Sequence, residues 1–549
     1  MNTSSFTIKK PNKKVMYQWY FIAVLLVIFS LFFGGCSAKK FVPEGKKLVH
    51  KNRIVISPKS STLSRSDLSM LIGQQPNQHF LGSRFGLWTY YKTQNHKDKR
   101  VWNWVNEKFG QAPIYFDAQS AQSSSQQMSR YLHNLGYFNN TVTYESKIFT
   151  KTLNVTYRIQ PSIPYIIQDI QYSIPDSALS VLFHLRANES LLKKGDNYNA
   201  YRMDDERDRI TNQLRNEGYY YFTKDHILFE VDSNLQNRSV KLNLQIENRR
   251  VPSVGSEPLW QAHKQFFIRN LNIYPNHQPF QQSNLPPDTL THRFRPKGLQ
   301  DTVVFRFLSQ GDPRIRPEAF HQIIQIFPGD LASLRATRQT YKGLTNLRIY
   351  RASNITFDTT GSRRETDSIA PAQWIDCNIY LQRSKVHSYT IDLEGTNSGG
   401  DPGIRGSLVY SNKNLFRGAE LFRLRLNGGF EAQRLSAANL PEGESKSNIF
   451  NTTEIGIDAS INFPRFLSPI SFGKITRDYQ PKTNLVFGFG SQVRPNYERT
   501  LLRAAFGYDW MSSNTVSHLF SPINLSSVKV IPSPGFEAFL NQLTNRRLK

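Results

Sequence analysis

The chain has 549 residues, a formal net charge of +27 and 13% aromatic residues, led by 37 Phe and 25 Tyr. That length allows three or four domains, and the two cysteines supply no disulfide scaffold. Lysines and arginines are scattered rather than clustered, which points away from nucleic acid and towards phosphate-rich lipid surfaces as the counter-charge.

At the N-terminus Lys9, Lys10, Lys13 and Lys14 precede an apolar run from Trp19 to Phe33. The run is about fifteen residues, short for a spanning helix, which needs about twenty. Positive residues, a short apolar run and small residues describe a secretory signal. Gly34-Gly35-Cys36 resembles a bacterial lipobox. The resemblance implies that residues 1–35 are a removed signal peptide and that Cys36 becomes the lipid-modified first residue, with a tether over 36–47. An uncleaved anchor is the alternative, and both place the chain outside the cytoplasm. Cys377 then has no partner. Its surroundings, Trp374-Ile375-Asp376-Cys377-Asn378-Ile379-Tyr380, read as a strand, with a redox or catalytic thiol as the rival.

Three stretches repeat: RYLHNLGYFNNTVTYE (Arg130–Glu145), NQLRNEGYYYFTKDHILFE (Asn212–Glu230) and YKGLTNLRIYRASNITF (Tyr341–Phe357). Each begins as an amphipathic helix and passes through aromatics into strand alternation. Gly136 and Gly218 are placed as helix C-caps, since glycine takes the left-handed conformation cheaply. Arg348 stands there in the third copy, so its cap is expected to differ. A second strand follows in each, Leu153–Ile159, Val240–Ile246 and Trp374–Leu381, alternating as half-buried strands do. One strand precedes each, Arg53–Ile56, Ile166–Tyr172 and Phe267–Ile273, then a short helical stretch such as Pro317–Ile324.

The order β-α-α-β-β resembles the POTRA domain, a periplasmic module that precedes outer-membrane barrels. The expected modules cover 48–160, 164–248 and 264–383; three unrelated α+β domains are the alternative. The first carries an excursion over Asn77–Phe116 and the third a proline-rich one over Asn276–Pro296. Within the first, Val101, Trp104, Val105 and Phe109 fall near one helical face. Packing on the module's own sheet is expected of that helix, with an interfacial role as the rival.

Residues 386–549 change texture. SYTIDLEGT, GIRGSLVYSN, ELFRLRLNGGFEAQ, TEIGIDASINF, TNLVFGFGSQVR and RTLLRAAFGYDWM alternate as transmembrane β-strands do. In the fourth, Ile455, Ile457, Ala459, Ile461 and Phe463 share one face, while Glu454, Gly456, Asp458, Ser460 and Asn462 share the other. A soluble sandwich shows similar alternation, but the aromatic strands and the preceding modules favour a barrel. The expected fold is α+β POTRA-like modules followed by an incomplete antiparallel transmembrane β-barrel.

Leu393–Gly429, above all Asn414-Leu415-Phe416-Arg417-Gly418-Ala419-Glu420, with Ile461–Pro469 and Val493–Thr500, resembles the first barrel strands of the BamA/TamA family of outer-membrane assembly factors. With Cys36 and KFVPEGKKLV, the chain is similar to the lipidated TamL-like branch of Bacteroidetes. The resemblance implies client chains received by β-augmentation at the module edges. It makes Tyr389, Thr390, Ile391, Asp392, Leu393 and Glu394 the client-pairing first strand. The implied partners are outer-membrane lipid, unfolded outer-membrane protein clients and a TamB-like periplasmic protein, with no cofactor. Modules in the periplasm are implied too. Against about sixteen strands in the family barrel, six or seven are recognisable here. The family's Arg-Gly-Phe or Arg-Gly-Tyr loop motif is absent, and the sequence ends in basic TNRRLK. A fragment or truncated reading frame, inactive alone, is the expectation, with a barrel of several chains as the alternative. The rival functions are a passive scaffold lipoprotein and a dedicated secretion pore. An enzyme is not expected: Gly-x-Ser-x-Gly, His-Glu-x-x-His and phosphate-loop motifs are missing, and the twelve histidines, His263 and His321 among them, lack metal-ligand spacing.

Overall fold

The computed structural model describes residues 41–542 apart from 59–61, 80–83, 95–99, 235–236, 252–258, 279–287, 296–301, 310, 360–372, 399, 434–449, 468–480 and 514. The chain divides into two compact units, Met1–Arg209 with Lys224–Asn248, and Ile210–Thr223 with Arg249–Lys549.

The first unit opens with β1 (Leu48–Ile56), α1 (Arg65–Met70), α2 (Phe85–Gln94), α3 (Arg100–Phe109), α4 (Ala118–Asn134), β2 (Thr141–Ile148) and β3 (Thr152–Gln160). Leu153, Val155, Tyr157 and Ile159 alternate along β3 and are at most 2% exposed. They form one core with Leu68 of α1 and with Met128 and Leu132 of α4. β3 therefore sits centrally, parallel to β1 and antiparallel to β2. Asp117 starts α4 by accepting hydrogen bonds from the backbone N–H groups of Gln119 and Ser120 at 3.2 and 3.0 Å. Next come β4 (Ile166–Ser173), α5 (Ser177–Leu185), α6 (Ala200–Asn216), β5 (Ile227–Asn234) and β6 (Ser239–Ile246), with α6 running on into the second unit. The sheet order β4-β6-β5 repeats the first, parallel then antiparallel. Tyr165, Ile167, Leu192, Met203, Val240 and Leu242 form its core.

The second unit contains a short hairpin of β7 (Arg249–Val251) and β8 (Leu259–Gln261). A five-stranded sheet follows, built from β9 (Phe266–Tyr274), β10 (Asp288–Phe294), β11 (Val303–Ser309), β12 (Tyr350–Asp358) and β13 (Gln373–Arg383), with α7 (Leu334–Asn346). Its order is β10-β11-β9-β13-β12, in which β9-β13-β12 again runs parallel then antiparallel. The three modules share a smaller mark. The start of each first strand bridges the segment before the second helix, through Leu48 and Tyr115, Ile166 and Asn197, and Phe267 and Leu331. The modules are POTRA-like.

Three expectations are corrected here. The proline-rich excursion of the third copy includes β10, and with β11 it forms a hairpin whose β11 pairs with β9. Val303, Phe305 and Phe307 bury one face of β11 in the core, and that burial holds the added strands. The stretch expected as helix over Pro317–Ile324 is one 3₁₀ turn, Pro317–Phe320. The third C-cap does not differ: Arg348 itself takes φ +58°, against +88° at Gly136 and +89° at Gly218. Both glycines are crowded. A Cβ on Gly136 would lie 2.8 Å from the carbonyl oxygen of Tyr198, and one on Gly218 would lie 2.7 Å from Leu331 Cδ2.

The chain then forms β14 (His387–Ser398), β15 (Asp401–Asn412), β16 (Leu421–Glu431), β17 (Thr452–Phe463), β18 (Lys482–Val493), β19 (Tyr497–Met511) and β20 (Ser517–Pro532), followed by α8 (Pro534–Gln542). These seven strands make one antiparallel sheet in chain order. β20 carries Pro522, which cannot donate to a ladder. It sits where the register slips, between the pairs Phe506–Ile523 and Tyr508–Phe520, as proline in strands requires.

Gly218→Ala should cost about 1–2 kcal/mol through left-handed strain. Arg348→Gly should leave stability unchanged or raise it by up to about 1 kcal/mol, because strain relief opposes added chain entropy. Urea unfolding followed by tryptophan fluorescence compares them.

His321 stacks on Phe294 at 3.7 Å, and its Nε2 lies 2.8 Å from Nε2 of His292. Burial, with the His292 charge adding to it, lowers the His321 imidazole to about 4. Between that value and the ordinary one of about 6.5 the unfolded chain binds the proton and the folded chain does not. Stability of the third module should therefore fall as pH drops from about 6.5 to about 4, and His321→Gln should remove that slope. Thermal unfolding across this pH range is the measurement.

Candidate functional site

Strict alternation gives the seven-stranded sheet two chemically distinct faces. Paired residues on antiparallel strands point the same way, so the registers carry each face across the sheet. Ile391, Ile404, Leu426, Ile455, Phe487, Leu502 and Leu525, one per strand, share a face, and each is between 40% and 81% exposed. An apolar band thus runs unbroken from β14 to β20 with nothing covering it among the described residues.

The opposite face is polar, and glycines organise it. Arg405 on β15 and Glu454 on β17 both pair in register with Gly429 on β16. With no side chain between them, Arg405 Nη2 reaches Glu454 Oε2 at 3.0 Å. The device recurs two strands on, where Gly488 on β18 stands between Asp458 and Arg503, 3.5 Å apart. A Cβ on Gly488 would lie 2.9 Å from Asp458 Oδ1. Sequence reading missed both pairs. The available signal was a glycine opposite unlike charges on neighbouring strands, legible only once the register is known.

The segment expected to be the first strand, Tyr389, Thr390, Ile391, Asp392, Leu393 and Glu394, lies within β14. It pairs with β15 from Tyr389–Tyr410 to Glu394–Arg405. Tyr389, Ile391 and Leu393 are 71–81% exposed on the apolar face. Asp392 faces the other way and accepts from the Ser407 hydroxyl at 3.3 Å. Among the described residues no strand pairs with the outer side of β14, so its free N–H and C=O groups form a template for another strand. β2, β5 and β12 are edge strands of the module sheets in the same sense.

Asn414–Glu420, the turn between β15 and β16, seats the sheet on the third module. Asn414 Nδ2 donates to the carbonyl of Arg314 at 2.7 Å, and Arg316 N–H donates to the carbonyl of Arg417 at 2.7 Å. The Arg417 guanidinium pairs with Asp312, and Ala419 enters the module core at 3% exposure. Buried Glu420 ties the turn by accepting from the N–H groups of Phe416 and Gly418 at 3.1 and 2.9 Å. Arg417 and Ala419 both hold positive φ, 66° and 61°, a cost these bonds offset.

Cys36 lies outside the described residues. Cys377 is fully buried on β13, and burial pushes its thiol up, which disfavours the reactive thiolate. Its neighbour Asp376 points the other way and takes both Nε and Nη2 of Arg269, at 2.9 and 2.6 Å, which holds its carboxyl below the usual range. Among the described residues no group of three His, Cys, Asp or Glu could hold a metal ion, and no helix is long and apolar enough to cross a membrane.

No family model and no curated protein matches the chain. Among solved structures it is similar to POTRA domains 3–5 of BamA from Haemophilus influenzae, at 12% identity and a TM-score of 0.30, over 62% of this chain and 100% of that one. It is similar to BamA from Haemophilus ducreyi lacking POTRA domains 1–3, at 10% identity and a TM-score of 0.32, over 68% of this chain and 64% of that one. It is also similar to CdiB from Acinetobacter baumannii, at 10% identity and a TM-score of 0.25, over 67% of this chain and 58% of that one. The chain spans less than two thirds of the length of the last two.

Gly488→Val should drive Asp458 and Arg503 apart. Both partners are about half exposed, so the loss should not exceed about 1 kcal/mol. A double-mutant cycle on Asp458→Asn and Arg503→Gln reads the pair directly, and its coupling should vanish in the valine background.

Proposed function

We propose that this chain is an outer-membrane protein assembly factor of the BamA/TamA type, of the lipidated TamL-like kind, held to the membrane at Cys36. The observation that carries the reading is the two-faced sheet with an open first strand. Water disfavours an exposed apolar band running over seven strands, whereas lipid hydrocarbon accepts it. The strands are 11 to 16 residues long, against the roughly 9–11 needed to cross a bilayer. The polar face with its glycine-bridged ion pairs then faces the barrel interior, and the modules lie in the periplasm.

Assembly needs no bond chemistry in this scheme. An unfolded outer-membrane client first adds a strand to β2, β5 or β12, where main-chain hydrogen bonds give affinity with little demand on sequence. β14 then templates the first membrane strand, since Tyr389–Glu394 offers an unpaired backbone edge at the height of the apolar band. Each client strand paired to β14 has its own edge satisfied as it enters lipid, where an unpaired N–H or C=O costs several kcal/mol, roughly. The turn Asn414–Glu420 supports the reading by fixing the start of the sheet to the module that would deliver the client. A TamB-like periplasmic protein is the expected partner on the module side.

A photo-crosslinking residue in place of Tyr389 or Ile391, in the full protein in cells, should capture several different outer-membrane proteins, and depletion should lower many barrel proteins together. Capture and loss of one exported protein alone would favour a dedicated secretion pore. No capture, with one complex disturbed, would favour a scaffold.

A further inference from the structure

α3 is an amphipathic helix with no buried residue. Trp104, Val101, Val105, Phe109 and Trp102 fall on one side of it, within about half the helical circumference. Val101 is 71%, Trp104 55% and Phe109 53% exposed. The expected packing of this stripe on the module's own sheet is not what the structure has.

The helix is nevertheless firmly mounted. α2 beneath it is pinned to the module by buried Leu87 and by the Tyr91 hydroxyl, 2.9 Å from that of Tyr115. α3 joins α2 through Phe85 against Phe109, ring centres 6.5 Å apart, and through Gln111 N–H donating to the Gly86 carbonyl at 2.9 Å. Buried Asn77 closes the excursion by bonding Ala112 and Ile114 at 2.8 and 3.2 Å. A strained or loosely held loop would not present the stripe in one place; this platform does.

Two further observations say what covers the stripe. Between Arg84 and Gly110 there are six lysines and arginines against two acids, a balance that complements anionic headgroups. Phe41, the first described residue, stacks on Tyr91 of α2 at 5.5 Å. Only four residues of chain separate it from Cys36, and the five steps between them reach at most about 18 Å. We infer that α3 lies in the surface of the bilayer that holds the N-terminus, its Trp104–Phe109 stripe sunk about 5–10 Å into the headgroup boundary, and so fixes the first module against anionic lipid. The inference rests on the membrane-anchored reading of the N-terminus. Tryptophan suits that depth because its ring is apolar and its N–H can remain hydrated. Lys108, within the stripe's arc, has a stem long enough to keep its charge in water.

The full chain, reconstituted in phosphatidylethanolamine–phosphatidylglycerol vesicles, tests this with a fluorophore on a single introduced cysteine. Val101→Cys reports the stripe, Asn103→Cys the opposite side and Phe487→Cys the apolar face of the sheet. Quenching by lipids carrying a shallow nitroxide should be at least about twofold stronger at position 101 than at 103. It should weaken in phosphatidylcholine, and Trp104→Glu with Phe109→Glu should abolish it while quenching at 487 persists. Equal, weak quenching at 101 and 103 with strong quenching at 487 would overturn the inference and leave the barrel reading standing. No quenching at 487 would overturn the barrel reading by itself. A blue-shifted label at 101 that lipid quenchers do not reach would mean that a protein covers the stripe, and would also overturn the inference.

Discussion

An unpaired strand edge is the constraint on which this protein turns. Backbone N–H and C=O groups demand partners, and a strand at the end of a sheet offers a whole row of them. In each module β3, β6 or β13 lies between a parallel and an antiparallel neighbour and satisfies both of its sides. The demand is thereby displaced outward. The bridges at Leu48, Ile166 and Phe267 quiet the start of each first strand, and β11 covers β9 in the third module. Among the described residues that leaves β2, β5, β10 and β12, and in the large sheet β14 and β20, with an open edge.

Glycine serves three separate ends. At Gly136 and Gly218 it turns the chain out of a helix where the first strand of the following module begins so close that its backbone donates to glycine: Tyr165 N–H and Phe266 N–H each donate to the glycine carbonyl at 2.9 Å. At Gly429 and Gly488 it clears a gap through which ion pairs span three strands. At Gly418 it lets Glu420 fold back on its own turn. Only the first use leaves a mark in a single stretch of sequence. The left-handed Arg348 shows that even this mark is not obligatory where the residues on either side, Leu347 and Ile349, are buried.

The apolar face of the sheet and the mounted amphipathic helix pose the same problem to water. Each presents apolar surface that soluble packing has not claimed. On the proposed reading, an N-terminal anchor, strands that cross lipid and a basic aromatic helix on the headgroups would place all of that surface in environments that favour it. On the same reading, the net charge of +27 would have its counterpart in lipid phosphate.

Periodicity alone revealed the three modules, their central strands, the caps at Gly136 and Gly218, and six of the seven sheet strands, because alternation and helix spacing are local properties. The β14 segment was likewise legible, since its texture changes abruptly after module three. β10 was hidden by neighbouring prolines, and β20 by Pro522, whose tolerance depends on a bulge in β20 itself. The glycine-bridged pairs needed register, which joins residues such as Arg405 and Glu454 across a strand that carries neither charge. The position of α3 needed tertiary structure most of all. Its amphipathic pattern was plain in Val101, Trp104, Val105 and Phe109, but a pattern says only that one face avoids water. Whether that face meets the module's own sheet or lies open is decided by which surfaces the rest of the chain has already filled, and here the sheet's core is closed by α1 and α4.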